Sequence, residues 1–571
     1  VALVVGAVLG LPATVQAQLP IGPPSNDLFA LGEGAGQTPA RVPTMTRAEP
    51  PLVATPRAVC DAGSRTEPGI QGRVPAGSDK DGFACNLSLV AHSGTSGGFK
   101  VLRYIDEAGH ECAFYDTALL FPTNATNFGG TSLGVKVLDM SDPAHPVQTA
   151  SLIDAPFLSP HESLTLNPKR GLLAAVLGNP ATAPGLVTIY DASKDCRHPV
   201  LQSTGAYARS GHESGFSPDG KTFYATATAY SSITAIDVTN PKVPFVAWQG
   251  SILSHGMTLS DDGNRAYLAD ATGGDLAIVD TSEVQARKPN PQVREISRLT
   301  WKAASIPQNA IRFTQHGHPY LLEFDEYTAG TLGRGNADDV GAGRIIDIAD
   351  ETQPKVIANL RLQVNQAADH AAAKGDPGTT NPAQGYAAHY CNIPTQVDPT
   401  IVACSFIASG LRVFDISKVT QPKEIAYYVH PSTAATENGL DGSNYAMSQP
   451  AFVPERHEIW YTDGGTGFNV LRMKAALWPA APASVPGTTC SSRRSFDATL
   501  VLPKGGRIAT VTATLGTMRL AVKRVGRRAI VRVRLVGQVR STVRLVIKAT
   551  LTNGKTIKTT RTYHPCTPGK V

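Results

Sequence analysis

One strand pattern recurs through the middle of the chain, and it limits the available folds more than any bulk property does. It reads "LGVKVLDMSDPAHP" from Leu133, "GLVTIYDASKDCRHP" from Gly185, "SITAIDVTNPKVP" from Ser232 and "GDLAIVDTSEVQ" from Gly274. It continues as "GRIIDIADETQP" from Gly343, "GLRVFDISKVTQP" from Gly410 and a decayed "GFNVLRMKAALWP" from Gly467, which makes seven copies. A run of β-branched and aliphatic residues supplies one buried strand, and its closing Asp can accept hydrogen bonds from the amides of the next turn. The Pro that follows most copies stops the turn from continuing as a helix.

Upstream of most copies lies a hairpin with a turn rich in Asp, Gly and Pro, as in "FSPDGKTFYAT" from Phe216 and "LSDDGNRAYLAD" from Leu259. Each unit therefore supplies four strands. Seven such units predict an all-β chain built as a seven-bladed β-propeller. A ring of blades has to close by one end lending a strand to the other. The last unit runs out after "FNVLRM", and residues 85–92, "CNLSLVAH", are the expected donor.

The repeats resemble those of the LVIVD-repeat family of exported bacterial β-propellers, over roughly residues 85–480. The resemblance implies the fold. It assigns no single chemistry, so function has to be argued from the residues themselves.

The opening "VALVVGAVLGLPATVQAQLP" has the apolar run and small-residue site of a secretory leader, predicted over residues 1–17. Its apolar run is shorter than the roughly 20 residues of a spanning helix, and no later segment reads as transmembrane. The predicted order is then a Pro, Gly and Ala-rich arm at 18–84, the propeller at 85–480, a linker at 481–489 and a β-domain at 490–571. Secretion, with retention at the cell wall, is the expected localisation.

Eight cysteines, none in a CxxC pair, suit an exported chain held by disulfides better than a zinc ribbon or a thioredoxin-like redox motif. Cys391 and Cys404 lie on the two arms of one hairpin, and Cys490 and Cys566 at the two ends of the last domain, so each couple is a candidate bridge. Cys60, Cys85, Cys112 and Cys196 allow three pairings.

Charge divides the chain. Residues 490–571 hold 18 Lys plus Arg against the single acid Asp497, whereas residues 1–489 carry a net charge of −11. Stretches such as "RAIVRVRLV" and "STVRLVIKATL" alternate bases with apolar residues, which predicts a small basic Ig-like β-sandwich. Such a surface favours polyanions. In an exported protein the expected partner is an anionic cell-wall polymer or lipid head group, and nucleic acid is not expected.

Aligning the hairpins places four histidines at one register, the head of the innermost strand: His161, His212, His255 and His389. Gln308 and Ser448 stand there in units five and seven, and Val101 is the residue expected in unit one. If the rings converge at a channel mouth they can bind a transition metal, with Glu162 and Glu213 orienting them from behind. The plainer reading is a polar residue that hydrogen-bonds neighbouring backbone, blade after blade. The "HE" pairs at His110 and His457 fall in turns, none extends to HExxH, and the GxSxG matches at Ser96 and Ser132 lead into strands.

Two functions follow. The first is a secreted non-catalytic binding protein that needs no cofactor, with an unidentified protein or glycan ligand and a basic domain holding it at the envelope. The second is an extracellular metal-dependent enzyme with its ion on the four histidines.

Overall fold

The computed structural model describes residues 36–117, 133–178, 184–228, 231–328, 339–380, 385–432, 445–478, 495–503, 506–515, 518–534 and 543–563. The predicted leader, the linker, Ser132 and the Cys490–Cys566 couple lie outside the described residues. The chain forms two compact units, Val1–Pro479 and Ala480–Val571.

Among the described residues the first unit holds seven sheets, each with four antiparallel strands, and two of them gain a fifth strand from the arm. The first sheet runs through Val101–Ile105, Glu111–Asp116, Val135–Asp139 and Val147–Leu152. The next five repeat this plan in chain order. In the seventh, Ala451–Val453, Glu458–Asp463 and Gly467–Met473 take their fourth strand from far upstream, as Leu87–Ser93 pairs antiparallel with Gly467–Met473.

The repeat motif is visible atom by atom. In six units the Asp closing the third strand accepts a hydrogen bond from the amide two residues on. These bonds run from Ser141, Ser193, Thr239, Ser282, Ala349 and Ser417 to Asp139, Asp191, Asp237, Asp280, Asp347 and Asp415, at 2.8–2.9 Å. The decayed seventh copy has Arg472 in place of the strand's acidic end, and it is the copy that needs a borrowed partner strand.

Because both faces of each sheet are apolar, every sheet has to be covered twice, and neighbouring sheets cover one another. Leu173 and Phe114 share a cluster that joins sheets one and two, and Val176 and Phe223 one that joins two and three. The series runs on through Tyr224 with Leu268, Tyr267 with Leu321, Phe324 with Phe406 and Val413 with Tyr461. Trp460, Phe468 and Val101 join the seventh sheet to the first. This cyclic succession of four-stranded sheets is a β-propeller arrangement.

The described part of the arm is strapped along outer strands. Gln37 bridges Gly250, Thr44–Thr46 lies parallel to Arg298–Thr300, and Phe83–Cys85 lies antiparallel to Tyr427–Val429. The disulfide Cys60–Cys85 ties the arm to the strand Phe83–Cys85, Cys112–Cys196 ties sheet one to sheet two, and Cys391–Cys404 crosses one hairpin. Among the described residues no cysteine is free, and no helix is long and apolar enough to cross a membrane.

The second unit has a three-stranded sheet, Ser495–Val501, Arg528–Arg534 and Val522–Val525, and a four-stranded one made of Met518–Leu520, Ile508–Leu515, Val543–Leu551 and Thr556–Tyr563. Ala498, Val531, Ala513, Leu545 and Ile547 form one core between them, so the unit is a two-sheet β-sandwich.

Candidate functional site

The innermost strands are short, three residues in sheets two, three, four and seven, and their heads converge. Parallel bridges fix the register: Glu162 opposes Glu213, and Lys100 opposes Gln449. One position earlier stand Phe99, His161, His212, His255, Gln308, His389 and Ser448. The residue heading sheet one is therefore Phe99 and not Val101, which lies two positions deeper and pairs with Tyr115. Phe99 bears on His161 with ring centroids 4.6 Å apart and stacks on His389 at 5.1 Å.

All four histidines meet. The His161 and His212 rings lie 4.6 Å apart and those of His212 and His255 4.8 Å apart. The Nε2 atoms of His212, His255 and His389 lie 3.1, 3.4 and 3.4 Å from carboxylate oxygens of Glu162. Glu162 thus sits among the imidazoles, where a partner behind them was expected. The cause is local: His161 adopts φ +51°, a left-handed conformation uncommon for a residue with a side chain, which reorients the chain just before Glu162.

A second acid completes the set. Glu326 Oε2 lies 3.0 Å from His389 Nε2, and Glu326 Oε1 lies 3.6 Å from His255 Nε2. The ligand atoms of His161, Glu162 and His212 all lie within 4.8 Å of one another, as do those of Glu162, Glu326 and His389. Glu162, His212, His255 and His389 are at most 4% exposed, while His161 keeps partial exposure.

Two of the rings have their orientation fixed. His255 Nδ1 donates to the Pro307 carbonyl and His389 Nδ1 to the Met447 carbonyl, each at 2.8 Å. A carbonyl only accepts, so the proton is on Nδ1 and the Nε2 of each neutral ring turns a lone pair toward the carboxylates. Neither nitrogen of His212, nor His389 Nε2, nor Glu162 Oε2 makes a well-aligned hydrogen bond. Lone pairs facing carboxylates repel unless a cation lies between them. A proton or a metal ion meets that need.

The titration shifts have the same origin. Burial opposes the charged form of His255 and His389, yet the Glu162 and Glu326 carboxylates outweigh it and raise both to about 9. Burial likewise opposes ionisation of Glu162, but His161 and His212 hold it well below 4.5. His161 is lowered, chiefly by burial.

Glu213 does not join the imidazoles. Its Oε1 accepts from Lys100 Nζ at 3.0 Å and from Asn309 Nδ2 at 2.6 Å, and Lys100 sits 3.8 Å over the Tyr390 ring. This buried polar group spans sheets one, three, five and six. Burial raises the Glu213 carboxyl, with Lys100 opposing. Gly256 makes room for it, since a Cβ there would lie 1.8 Å from Glu213 Oε2 and 2.2 Å from the Gln308 carbonyl.

Glu326, Phe99, Lys100 and Tyr390 were not singled out by the sequence. Glu326 had a signal: it is the acid one residue past Asp325, the strand-end position that Asp270 and Asp463 hold in sheets four and seven, where Ala271 and Gly464 follow. The remaining histidines lie elsewhere. His110 Nδ1 bonds Asp106 in a turn, His457 is a left-handed turn residue, and His318 pairs with Asp347 near the surface. Ser96 is buried in a loop before the first sheet.

Imidazole and carboxylate donors suit zinc, iron, manganese, copper or nickel, and no free thiol among the described residues would draw a softer ion. Ligand atoms about 2 Å from a common ion lie some 3–4 Å from one another, and the imidazole–carboxylate contacts measure 3.0–3.6 Å. Two buried carboxylates would balance a divalent charge. Among the described residues two groups of three could hold an ion, His161 with Glu162 and His212, and Glu162 with Glu326 and His389, and the two share Glu162.

No family model matches the chain, the LVIVD repeats included, and no curated protein matches it. Similar solved structures include a protein from Lactobacillus plantarum, 13% identical, covering 62% of this chain and 91% of that one at a TM-score of 0.43. Hydrazine synthase from Kuenenia stuttgartiensis is 13% identical over 69% of this chain and 98% of its own, with a TM-score of 0.41. The RRP9 WD40 repeats are 10% identical over 71% and 100%, with a TM-score of 0.39. None of these informs the chemistry of the histidine cluster.

Proposed function

We propose that this is an exported seven-bladed β-propeller that binds one transition-metal ion among His161, His212, His255, His389, Glu162 and Glu326. The seven sheets are its blades, and Leu87–Ser93 closes the ring. The second unit is a basic Ig-like domain. Three disulfides support an oxidising, extracellular setting.

One observation carries the reading: three Nε2 atoms come within 3.1–3.4 Å of the Glu162 carboxylate. Backbone hydrogen bonding could explain each histidine alone, and it does fix His255 and His389, but through Nδ1 only. Holding a ring by a carbonyl at one nitrogen so that the other presents a lone pair is how proteins prepare imidazole ligands. The protein is thus a binding protein whose ligand is a metal ion.

The test is elemental analysis of tag-free protein exported from its host. About one equivalent of iron, copper, zinc, manganese or nickel is expected, absent from the double variant His161→Ala plus His212→Ala. Folded protein that takes up no such metal on titration would end the proposal.

A further inference from the structure

The second unit carries a feature that the metal reading does not use, and it stands independently of that reading. Its four-stranded sheet turns Leu545, Ile547, Ala549 and Ala513 inward to the core. Side chains alternate along a strand, so Arg544, Lys548, Thr510, Thr512 and Thr514 take the outer face. The pairing extends this face as three rows: Thr512, Lys548 and Lys558; Thr514, Val546 and Thr560; Thr510, Thr550 and Thr556. Arg519 stands opposite Thr514 on the edge strand.

The bases on this face are unbalanced. Lys548 and Lys558 are direct cross-strand partners, and like charges so placed cost stability unless an anion lies between them. The one ion pair found among the described residues of this unit, Arg532 with Asp497, involves the other sheet. Arg519, Arg544, Lys548 and Lys558 are exposed, and the residues between them on this face are threonines and one valine.

That composition selects among polyanions. Threonine hydroxyls and ammonium groups donate to phosphate oxygens. The rows contain no aromatic ring on which bases would stack. It also lacks the carboxylates and aromatic rings that would hold a neutral sugar. We infer that this face binds a base-free phosphodiester polymer of the cell envelope, its phosphates seated between the Lys548/Lys558 pair and Arg544, flanked by the threonine rows.

The test uses the full chain and soluble polyglycerol phosphate at 50 and 200 mM salt. Lys548→Thr with Lys558→Thr, which keeps strand-forming residues in the threonine pattern, is expected to weaken binding at least tenfold and to reduce its salt dependence. Lys523→Thr with Arg528→Thr, on the other sheet, removes the same charge and is expected to change binding less than threefold. Lys548→Arg with Lys558→Arg is expected to retain it, and an unchanged melting temperature certifies the fold of each variant. Equal losses from the two threonine pairs, retention by Lys548→Thr with Lys558→Thr, or tighter binding of duplex DNA than of polyglycerol phosphate would each overturn the inference.

Discussion

His212 Nε2 lies 3.1 Å from Glu162 Oε2, and this contact joins two sheets at the head of their innermost strands. Glu162 also reaches His255 and His389, so one carboxylate organises the cluster. Replacing Glu162 by Gln keeps its shape and removes its charge. Metal affinity, measured by competition with a chelator, is expected to fall at least 100-fold, which is about 2.7 kcal/mol. A change under threefold would mean that the carboxylate is not a ligand.

Lys100 and Glu213 form a buried ion pair beside that cluster, 5% and 0% exposed. Removing one partner strands the other. Lys100→Met is expected to destabilise the propeller by about 3–5 kcal/mol in urea denaturation. Lys100→Met with Glu213→Gln is expected to recover most of the loss, because no unpaired charge is then buried.

Asp463 is fully buried and accepts from the Tyr445 and Gly465 amides, and burial raises its carboxyl to about 6 from 3.8. The native state holds that proton more tightly than the unfolded chain does. Its contribution to stability is therefore complete below about pH 4 and is lost as pH rises through about 6. Asp463→Asn is expected to remove roughly 3 kcal/mol of the change in unfolding free energy across this window, measured by urea denaturation. An unchanged slope would show that this carboxyl does not titrate there.

The disulfides differ in the loops they close. Cys112–Cys196 spans 84 residues and Cys391–Cys404 spans 13. By chain entropy, replacing the first couple with alanines costs about 4–5 kcal/mol and the second about 3. The reverse order of thermal unfolding midpoints would count against an entropic role.

Much of the architecture could be read because it is periodic. The strand-ending Asp recurs with the same amide bond in six units, and the missing fourth strand of the decayed unit announced that residues near 85–92 would supply it. The shared register of the four histidines was legible for the same reason. What escaped was whatever broke the period. His161 departs from strand geometry and brings Glu162 inward, sheet one enters two residues earlier than Val101, and Glu326 is the last residue of its strand, one beyond the position that Asp270 and Asp463 hold. The Cys60, Cys85, Cys112 and Cys196 pairings needed three-dimensional proximity, which spacing does not encode.

The most direct measurement is an anomalous-scattering map from crystals of the metal-loaded protein, collected at the absorption edge of the bound element. One peak is expected about 2.0–2.2 Å from imidazole nitrogens of at least three of His161, His212, His255 and His389, and from a Glu162 or Glu326 oxygen. A loaded protein whose only peak lies elsewhere would contradict this.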